Sequence, residues 1–255
     1  MNEWIQEIAQ QGKTQEFYNV AGNIGVAIAA LYGLWHGRRL GIPLWKTLIV
    51  LVVVHYSLGF VVGNIWKILE YIRDNQIFGI KRPVNSIVRG FLIVPLIAFL
   101  VAKLLRLKVR TVWDTVAMYL VLRSGLCQLP CLFTGCCTGY PWRWGVYNYR
   151  TEDLRFPVPI LETLLSLAIF FWLLYRLKKN DFRSDGTYFP IMLVLYGIMR
   201  FICECLRDNE KLFWVCSAVA IHAIILSLVG AIWLSVAYKR NKKTQKTEII
   251  DSQNT

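Results

Sequence analysis

Four polar side chains recur at helical spacing within an apolar stretch near the C-terminus. They are Tyr196, Arg200, Glu204 and Arg207, and intervals of 4, 4 and 3 residues place them on one face of a helix. A guanidinium binds phosphate through paired hydrogen bonds, and a neighbouring carboxylate orients it. The stripe predicts either an anion-binding or acid–base site, or a structural ladder of ions between helices.

Cysteine and glycine residues crowd a second segment, at 123–149. Pro130 predicts a bend in a helix, and Gly135 and Gly139 permit tight turns close to a ligand, although an ordinary interfacial loop is the simpler interpretation. The thiols of this segment are Cys127, Cys131, Cys136 and Cys137. Their spacing lacks the paired two-residue separation typical of zinc sites, so we expect no metal site. On an outer face, a disulfide to Cys203 or Cys205 is permitted but not required.

The composition decides the class of protein that carries these groups. Of 255 residues, 56% are hydrophobic and 18% charged, which is too apolar for a soluble domain and excludes a large aqueous one. We predict an all-α membrane protein, a bundle of about seven transmembrane helices. The predicted spans are 18–36, 44–66, 85–105, 112–133, 158–177, 187–206 and 213–238. The net charge of +13 is assigned to loops and lipid headgroups, since no nucleic-acid motif is present.

The distribution of Lys and Arg predicts the orientation of the bundle. The loops on the side of the C-terminus carry more of these residues, so we expect a cytoplasmic C-terminus and an N-terminus outside. We divide the chain into an outer N-terminal segment at 1–17, a membrane domain at 18–238 and a basic cytoplasmic tail at 239–255.

Three arginines, Arg89, Arg123 and Arg200, fall inside predicted spans. A charge near the bilayer centre costs at least about 2.5–3.5 kcal/mol, so such residues usually face a bundle interior or a wet cavity and have a partner. Arg89 lies near the outer end of its span and can alternatively reach the headgroups.

These segments together resemble the prolipoprotein diacylglyceryl transferase family. The strongest match is the run from Tyr196 to Arg207, which resembles the family pattern Tyr-Gly-x-x-Arg-Phe-x-x-Glu-x-x-Arg. The loop Gly135-Cys-Cys-Thr-Gly139 resembles the glycine-rich outer loop of many members. Further matches are Asp114 at the start of the fourth span and Pro157 with Glu162 at the start of the fifth.

The resemblance implies transfer of a diacylglyceryl group from phosphatidylglycerol to the lipobox cysteine thiol of a secreted prolipoprotein precursor. The site would face the outer side of the bacterial cytoplasmic membrane, with no cofactor and with membrane lipid as a partner. We expect Arg200 to bind the phosphate, Glu204 to orient Arg200, and Tyr196 to donate a hydrogen bond or carry a proton. The expected substrate-binding residues are Arg89, Arg123, Gln128, Gly135, Gly139 and Arg207.

Several positions depart from the family pattern. A functional arginine and asparagine of the family fall on Gln128 and Cys131, an acidic loop residue falls on Cys136, and a histidine falls on Arg89. The chain is therefore either a divergent enzyme with relocated charges or a non-catalytic lipid- or precursor-binding relative of the same fold. A transporter or redox membrane protein is a third interpretation.

Overall fold

The computed structural model describes residue 3 and residues 12–74, 87–180, 186–208 and 217–253, with side chains at 12–59, 90–180, 186–208, 217 and 219–240. The described residues are mostly helical and also include one short two-stranded hairpin. The elements are α1 (Thr14–Arg39), α2 (Leu44–Asp74), α3 (Ile87–Leu104), α4 (Val109–Leu126), α5 (Cys131–Thr134), β1 (Pro141–Asn148), β2 (Asp153–Arg155), α6 (Val158–Lys179), α7 (Tyr188–Cys205) and α8 (Ala218–Gln253).

In the part of the chain that the structure describes, five helices are long and apolar enough to cross a bilayer. They are Thr14–Arg39, Val109–Thr134, Val158–Lys179, Tyr188–Cys205 and Val219–Arg240, and shorter apolar helices occupy Leu44–Gly59 and Gly90–Leu104. A helical membrane protein is thereby confirmed, while the number of about seven spans and the orientation of the termini stay predictions. The β1–β2 hairpin makes the fold mostly helical rather than all-α.

Helix α4 lies at the centre of the core, with almost every side chain from Thr111 to Gly125 buried. It approaches α6 closely, because a Cβ on Gly125 would lie 2.7 Å from the Cβ of Ser166. Thr163 donates a hydrogen bond to the Gly125 carbonyl at 2.8 Å. Small and hydroxylated residues at such a crossing let two backbones pack in an apolar environment.

The chain breaks its helical course after Leu126, as Pro130 predicts. A turn leads to the single-turn helix α5, which ends at Gly135 in the left-handed conformation with φ of 59°. The hairpin follows, with Tyr147 opposite Leu154 and Asn148 opposite Asp153. The chain between α5 and α6 therefore consists of a loop followed by this hairpin.

Two helices extend beyond the spans predicted for them. Helix α1 begins at Thr14, ahead of the predicted start at 18, and α8 runs through the predicted boundary at 239 to Gln253. Most of the outer segment 1–17 lies outside the described residues.

The start of α7 is fixed by a buried carboxylate on α4. Asp114 is fully buried and accepts backbone N–H groups from Gly186 at 2.9 Å, Tyr188 at 3.1 Å and Phe189 at 3.4 Å. The first amides of a helix have no partner within the helix, so a carboxylate satisfies them and complements the helix dipole. Asp114 therefore sets the position of α7 against α4.

We expect Asp114→Ala to lower the free energy of unfolding by about 2 kcal/mol, because it leaves buried amides without an acceptor. Thermal unfolding in detergent, followed by circular dichroism, measures the loss. Asp153→Ala is the control, since this carboxylate lies on the hairpin with a side chain that is 36% exposed. Equal transitions for the two variants would contradict the capping role.

Candidate active site

Two arginines at the end of α7 meet at one buried carboxylate on α6. Glu162 has no exposed surface, and both of its oxygens lie 2.5 Å from Nη1 of Arg200. Its Oε2 also lies 2.6 Å from Nη2 of Arg207. Pro157 precedes α6, and the helix thereafter carries Glu162 inward on the face that adjoins α7. The spacing of Arg200 and Arg207 along the sequence placed them on one helix face, and the structure brings both guanidiniums to this carboxylate.

A second carboxylate completes a four-residue ion cluster. Glu204 Oε2 lies 3.5 Å from Nη2 of Arg200 and 3.8 Å from Nη1 of Arg207. Its other oxygen accepts a hydrogen bond from Ser217 at 2.8 Å. The formal charges of two guanidiniums and two carboxylates cancel, as burial in a low dielectric requires. We call Glu162, Arg200, Glu204 and Arg207 the ion cluster.

Two hydrogen-bond donors of the ion cluster have no acceptor among the described residues. The Nε–H groups of Arg200 and Arg207 are buried and have no acceptor among the side chains and backbone that the structure describes. A buried polar group without a partner is uncommon and needs an explanation, such as an unseen water or a ligand. These donors suit an anionic ligand.

Tyr196 occupies the same face of α7 one turn before Arg200, as predicted. Its hydroxyl lies 2.6 Å from Oγ of Ser124 on α4, and either group is able to donate. The Tyr196 ring is fully buried, with its centroid 4.6 Å from that of Phe91. Tyr196 therefore connects α7 with α4 directly beside the ion cluster.

Arg123, the residue before Ser124, points to a different neighbour. Its Nε donates to Nδ1 of His55 at 3.3 Å, and the Tyr119 hydroxyl lies 3.0 Å from the same nitrogen. Because a guanidinium only donates, Nδ1 is an acceptor and His55 is neutral with its proton on Nε2. Within the described ranges no carboxylate lies at ion-pair distance from Arg123, so its charge is not neutralised by an ion pair there.

The glycine-rich loop is attached to the end of α7 through backbone atoms. Gly139 pairs with Arg207 in an antiparallel bridge, and the N–H of Asp208 donates to the carbonyl of Thr138 at 3.4 Å. A Cβ on Gly139 would lie 2.6 Å from the Leu206 carbonyl oxygen, so only glycine fits this approach. The loop therefore lies against the residue that carries one guanidinium of the ion cluster.

The other loop positions have structural partners. Gly135 abuts Asn148, whose Nδ2 donates to the Gly135 carbonyl at 3.2 Å and to Thr138 Oγ1 at 2.8 Å. Gln128 accepts a weak hydrogen bond from the Cys131 thiol at 3.7 Å. The side chain of Arg89 lies outside the described residues.

A surface ion pair ties the hairpin to the same end of α7. Arg155 Nε lies 2.8 Å from Asp153, and its Nη1 lies 2.6 Å from Asp208. Hydrogen bonds from Arg155 and then from Thr151 lower the pKa of Asp153. Exposed pairs of this kind add little stability, so they orient the hairpin rather than hold it.

Sequence reasoning assigned no site role to Glu162, His55, Ser124 or Ser217. The available signal for Glu162 was a carboxylate inside an apolar span. From the sequence, this residue was named only as part of the match to the family pattern. His55 and Ser124 become visible only when the helices are packed, because their partners lie 68 and 72 residues away along the chain. Ser217 lies 13 residues from Glu204, outside the helix that carries it.

The fold and the ion cluster together define an integral membrane protein with four charged residues gathered in a buried site between apolar helices. A family model described as prolipoprotein diacylglyceryl transferase matches residues 8–236, and the chain therefore belongs to this family. No curated protein matches the chain. Membership identifies a transferase of lipoprotein maturation at the level of the family and, with the apolar helices, indicates the bacterial inner membrane.

We expect Glu162→Gln to destabilise the protein by about 3–5 kcal/mol, because it leaves two buried guanidiniums without their closest counter-ion. Glu204→Gln is the matched comparison and should cost less, since its ion pairs are longer and an amide oxygen keeps the Ser217 hydrogen bond. Thermal unfolding in detergent ranks the two variants. A larger loss for Glu204→Gln would show that Glu162 is not the centre of the cluster.

Gly139→Ala should lower the free energy of unfolding by about 1–3 kcal/mol, since its methyl group would overlap the Leu206 carbonyl. Gly22→Ala is the control, because a Cβ there meets no atom within 4 Å and alanine favours the helix. Limited proteolysis of the loop at 135–156 provides the local measurement. Equal protease resistance of the two variants would mean that the loop is held elsewhere.

Proposed function

We propose that the chain transfers the diacylglyceryl group of phosphatidylglycerol to the lipobox cysteine thiol of secreted precursors, at the outer face of the membrane. Family membership supports a transferase of this kind. The observation that carries the proposal is the pair of unsatisfied Nε–H donors on Arg200 and Arg207 within an apolar bundle. A phosphate group that leaves in this site would find fixed donors in a low dielectric, where they stabilise developing charge most strongly.

Arg123 supplies the positive charge that the ion cluster lacks. The cluster is formally neutral, so on its own it offers an anion hydrogen bonds but no net attraction. Arg123 adds one positive charge. The adjacent Ser124 forms a hydrogen bond with Tyr196 on α7, the helix that carries Arg200 and Glu204. We propose that the phosphate binds Arg123 together with the Nε–H donors of Arg200 and Arg207.

The reaction exchanges one bond at the glycerol carbon. The precursor sulfur forms a bond to the sn-3 carbon of the diacylglyceryl group, and the bond from that carbon to the phosphate oxygen breaks. Glycerol phosphate leaves with the electron pair. The thiol proton passes to this phosphate monoester, whose second pKa of about 6 lets it accept a proton near neutrality. Tyr196 is positioned to carry a proton or donate a hydrogen bond to the leaving group.

The two carboxylates position the arginines rather than react. Glu162 holds Arg200 and Arg207 by the short contacts, and this support is stronger than the orienting role predicted for Glu204. Glu204 is itself fixed by Ser217. Gln128 and the backbone of Gly135 and Gly139 would border the entry for the precursor from the outer side.

The contact between Cys131 and Gln128 favours the second candidate, a non-catalytic relative that binds lipid or precursor. These two side chains occupy the positions of a functional asparagine and arginine in the family, and they hydrogen bond to each other. The double variant Gln128→Arg/Cys131→Asn separates the candidates. A gain of transfer from an inactive background would indicate a lapsed site, whereas transfer by the unmodified chain supports the enzyme.

The test of the proposal is expression in bacterial cells depleted of their own transferase. We expect a precursor lipoprotein to gain a diacylglyceryl thioether, detected as a mass increase of its N-terminal peptide. Arg123→Ala should lower the initial rate by about 100-fold or more, the usual cost of removing one group that stabilises transition-state charge. Arg38→Ala is the control, because this arginine is exposed at the end of α1.

A chain that is inserted and folded but yields no thioether would overturn the enzymatic proposal. An unchanged rate for Arg123→Ala would instead keep the reaction and remove Arg123 from the phosphate site.

A further inference from the structure

Three cysteine thiols converge beside the glycine-rich loop. The Sγ atoms of Cys131, Cys136 and Cys137 all lie within 4.8 Å of one another. Cys131 is buried and the other two are half-buried, and all three are free thiols. The transfer reaction does not use them, because its nucleophile belongs to the precursor.

The fold of the loop brings the thiols together although their spacing is irregular. Cys131 begins α5, and Gly135 reverses the chain in the left-handed conformation. Cys137 has a φ of 141°, a conformation that side chains rarely adopt. The reversal returns Cys136 and Cys137 to the start of α5, which the spacing along the sequence alone does not show.

The separation of the sulfurs suits a thiophilic metal ion. Zinc binds thiolates at about 2.3 Å, which sets neighbouring sulfurs about 4 Å apart in a trigonal or tetrahedral site. The observed limit of 4.8 Å leaves only small movements to reach that geometry. Three thiolates with no carboxylate or histidine among them favour soft or borderline d10 ions such as Zn²⁺ and Cu⁺.

The residues around the three thiols favour a metal–thiolate complex that carries a net negative charge. Three thiolates on Zn²⁺ carry a net charge of −1, and on Cu⁺ they carry −2. Arg150 interacts electrostatically with Cys136, and Arg207, whose charge is shared with Glu162, also interacts with Cys137. Thr134 Oγ1 lies 3.0 Å from Cys136 Sγ and donates to it, as an outer partner of a ligating sulfur does.

We propose that Cys131, Cys136 and Cys137 form a three-thiolate site for one thiophilic d10 metal ion. Each thiol releases its proton to solvent when the ion binds, and no oxidant or reductant is needed. Thr134 supports the site from outside the ligand set. The ion would join α5 to the chain that follows Gly135 and so fix the loop that pairs with Arg207. The site extends beyond the proposed transfer reaction and does not depend on it.

The experiment uses the purified full chain in detergent, reduced and freed of metal by a chelator. Co²⁺, the spectroscopic probe for a zinc site, is titrated, and the sulfur-to-cobalt charge-transfer absorption is recorded. We expect one equivalent to bind per chain and Zn²⁺ to displace it. A parallel titration with Cu⁺ against a chromogenic chelator distinguishes the two ions, and tight binding of either supports the site.

Single serine variants test the ligand set. Cys131→Ser, Cys136→Ser and Cys137→Ser should each weaken binding by more than about tenfold, the lower limit seen even for loss of an outer partner. Cys127→Ser and Cys205→Ser are matched controls, because their thiols lie outside the group. A control variant that weakens binding as much as the ligand variants would overturn the assignment.

Alkylation gives a readout that does not depend on how well the variants fold. In the unmodified chain, Zn²⁺ or Cu⁺ should protect Cys136 and Cys137 from iodoacetamide at least tenfold relative to Cys205, as measured by peptide mass spectrometry. Absence of both binding and protection overturns the proposal. So does a disulfide between any two of the three cysteines in protein isolated without reductant. Neither result bears on diacylglyceryl transfer, which is measured separately.

Discussion

Placing two guanidiniums inside an apolar bundle is possible only because Glu162 receives both of them. Each arginine would be too costly to bury alone, and Glu162 contacts Arg200 and Arg207 at 2.5 and 2.6 Å. These contacts in turn depend on how the neighbouring helices pack. Helix α6 must approach α7 closely enough for the contacts to form, α4 must pack against α6 through Gly125, and Asp114 must hold the first turn of α7. The fold in this region is therefore organised around charge compensation.

Compensation also limits what the ion cluster does chemically. A neutral set of four residues holds rigid hydrogen-bond donors but attracts no anion from a distance. An arginine outside the set is needed for that, and Arg123, held by neutral His55, has the required charge. In the proposed reaction, the neutral cluster would orient the phosphate through its hydrogen-bond donors, and the separate cation would attract it.

The sequence predicted the polar face of α7 correctly because helical periodicity depends on local spacing alone. Tyr196, Arg200, Glu204 and Arg207 therefore needed no tertiary information. Apolar length predicted a helical membrane protein for the same reason, and Pro130 predicted the break after α4. Glu162 as the common partner, and the pairing of Arg123 with His55, depend on how helices distant in sequence rotate against one another. The grouping of three thiols depends on a backbone reversal at Gly135 that spacing rules do not include.

The link between the glycine-rich loop and the end of α7 is made by main-chain atoms. The bridge from Gly139 to Arg207 and the hydrogen bond from Asp208 to Thr138 require a glycine at one position but no particular side chain at Thr138 or Asp208. The main-chain attachment of Arg207 therefore does not depend on the side chains of Cys136 and Cys137. Those two positions can carry cysteines, and any ligand that cysteines hold, without disturbing the buried ions beneath the loop.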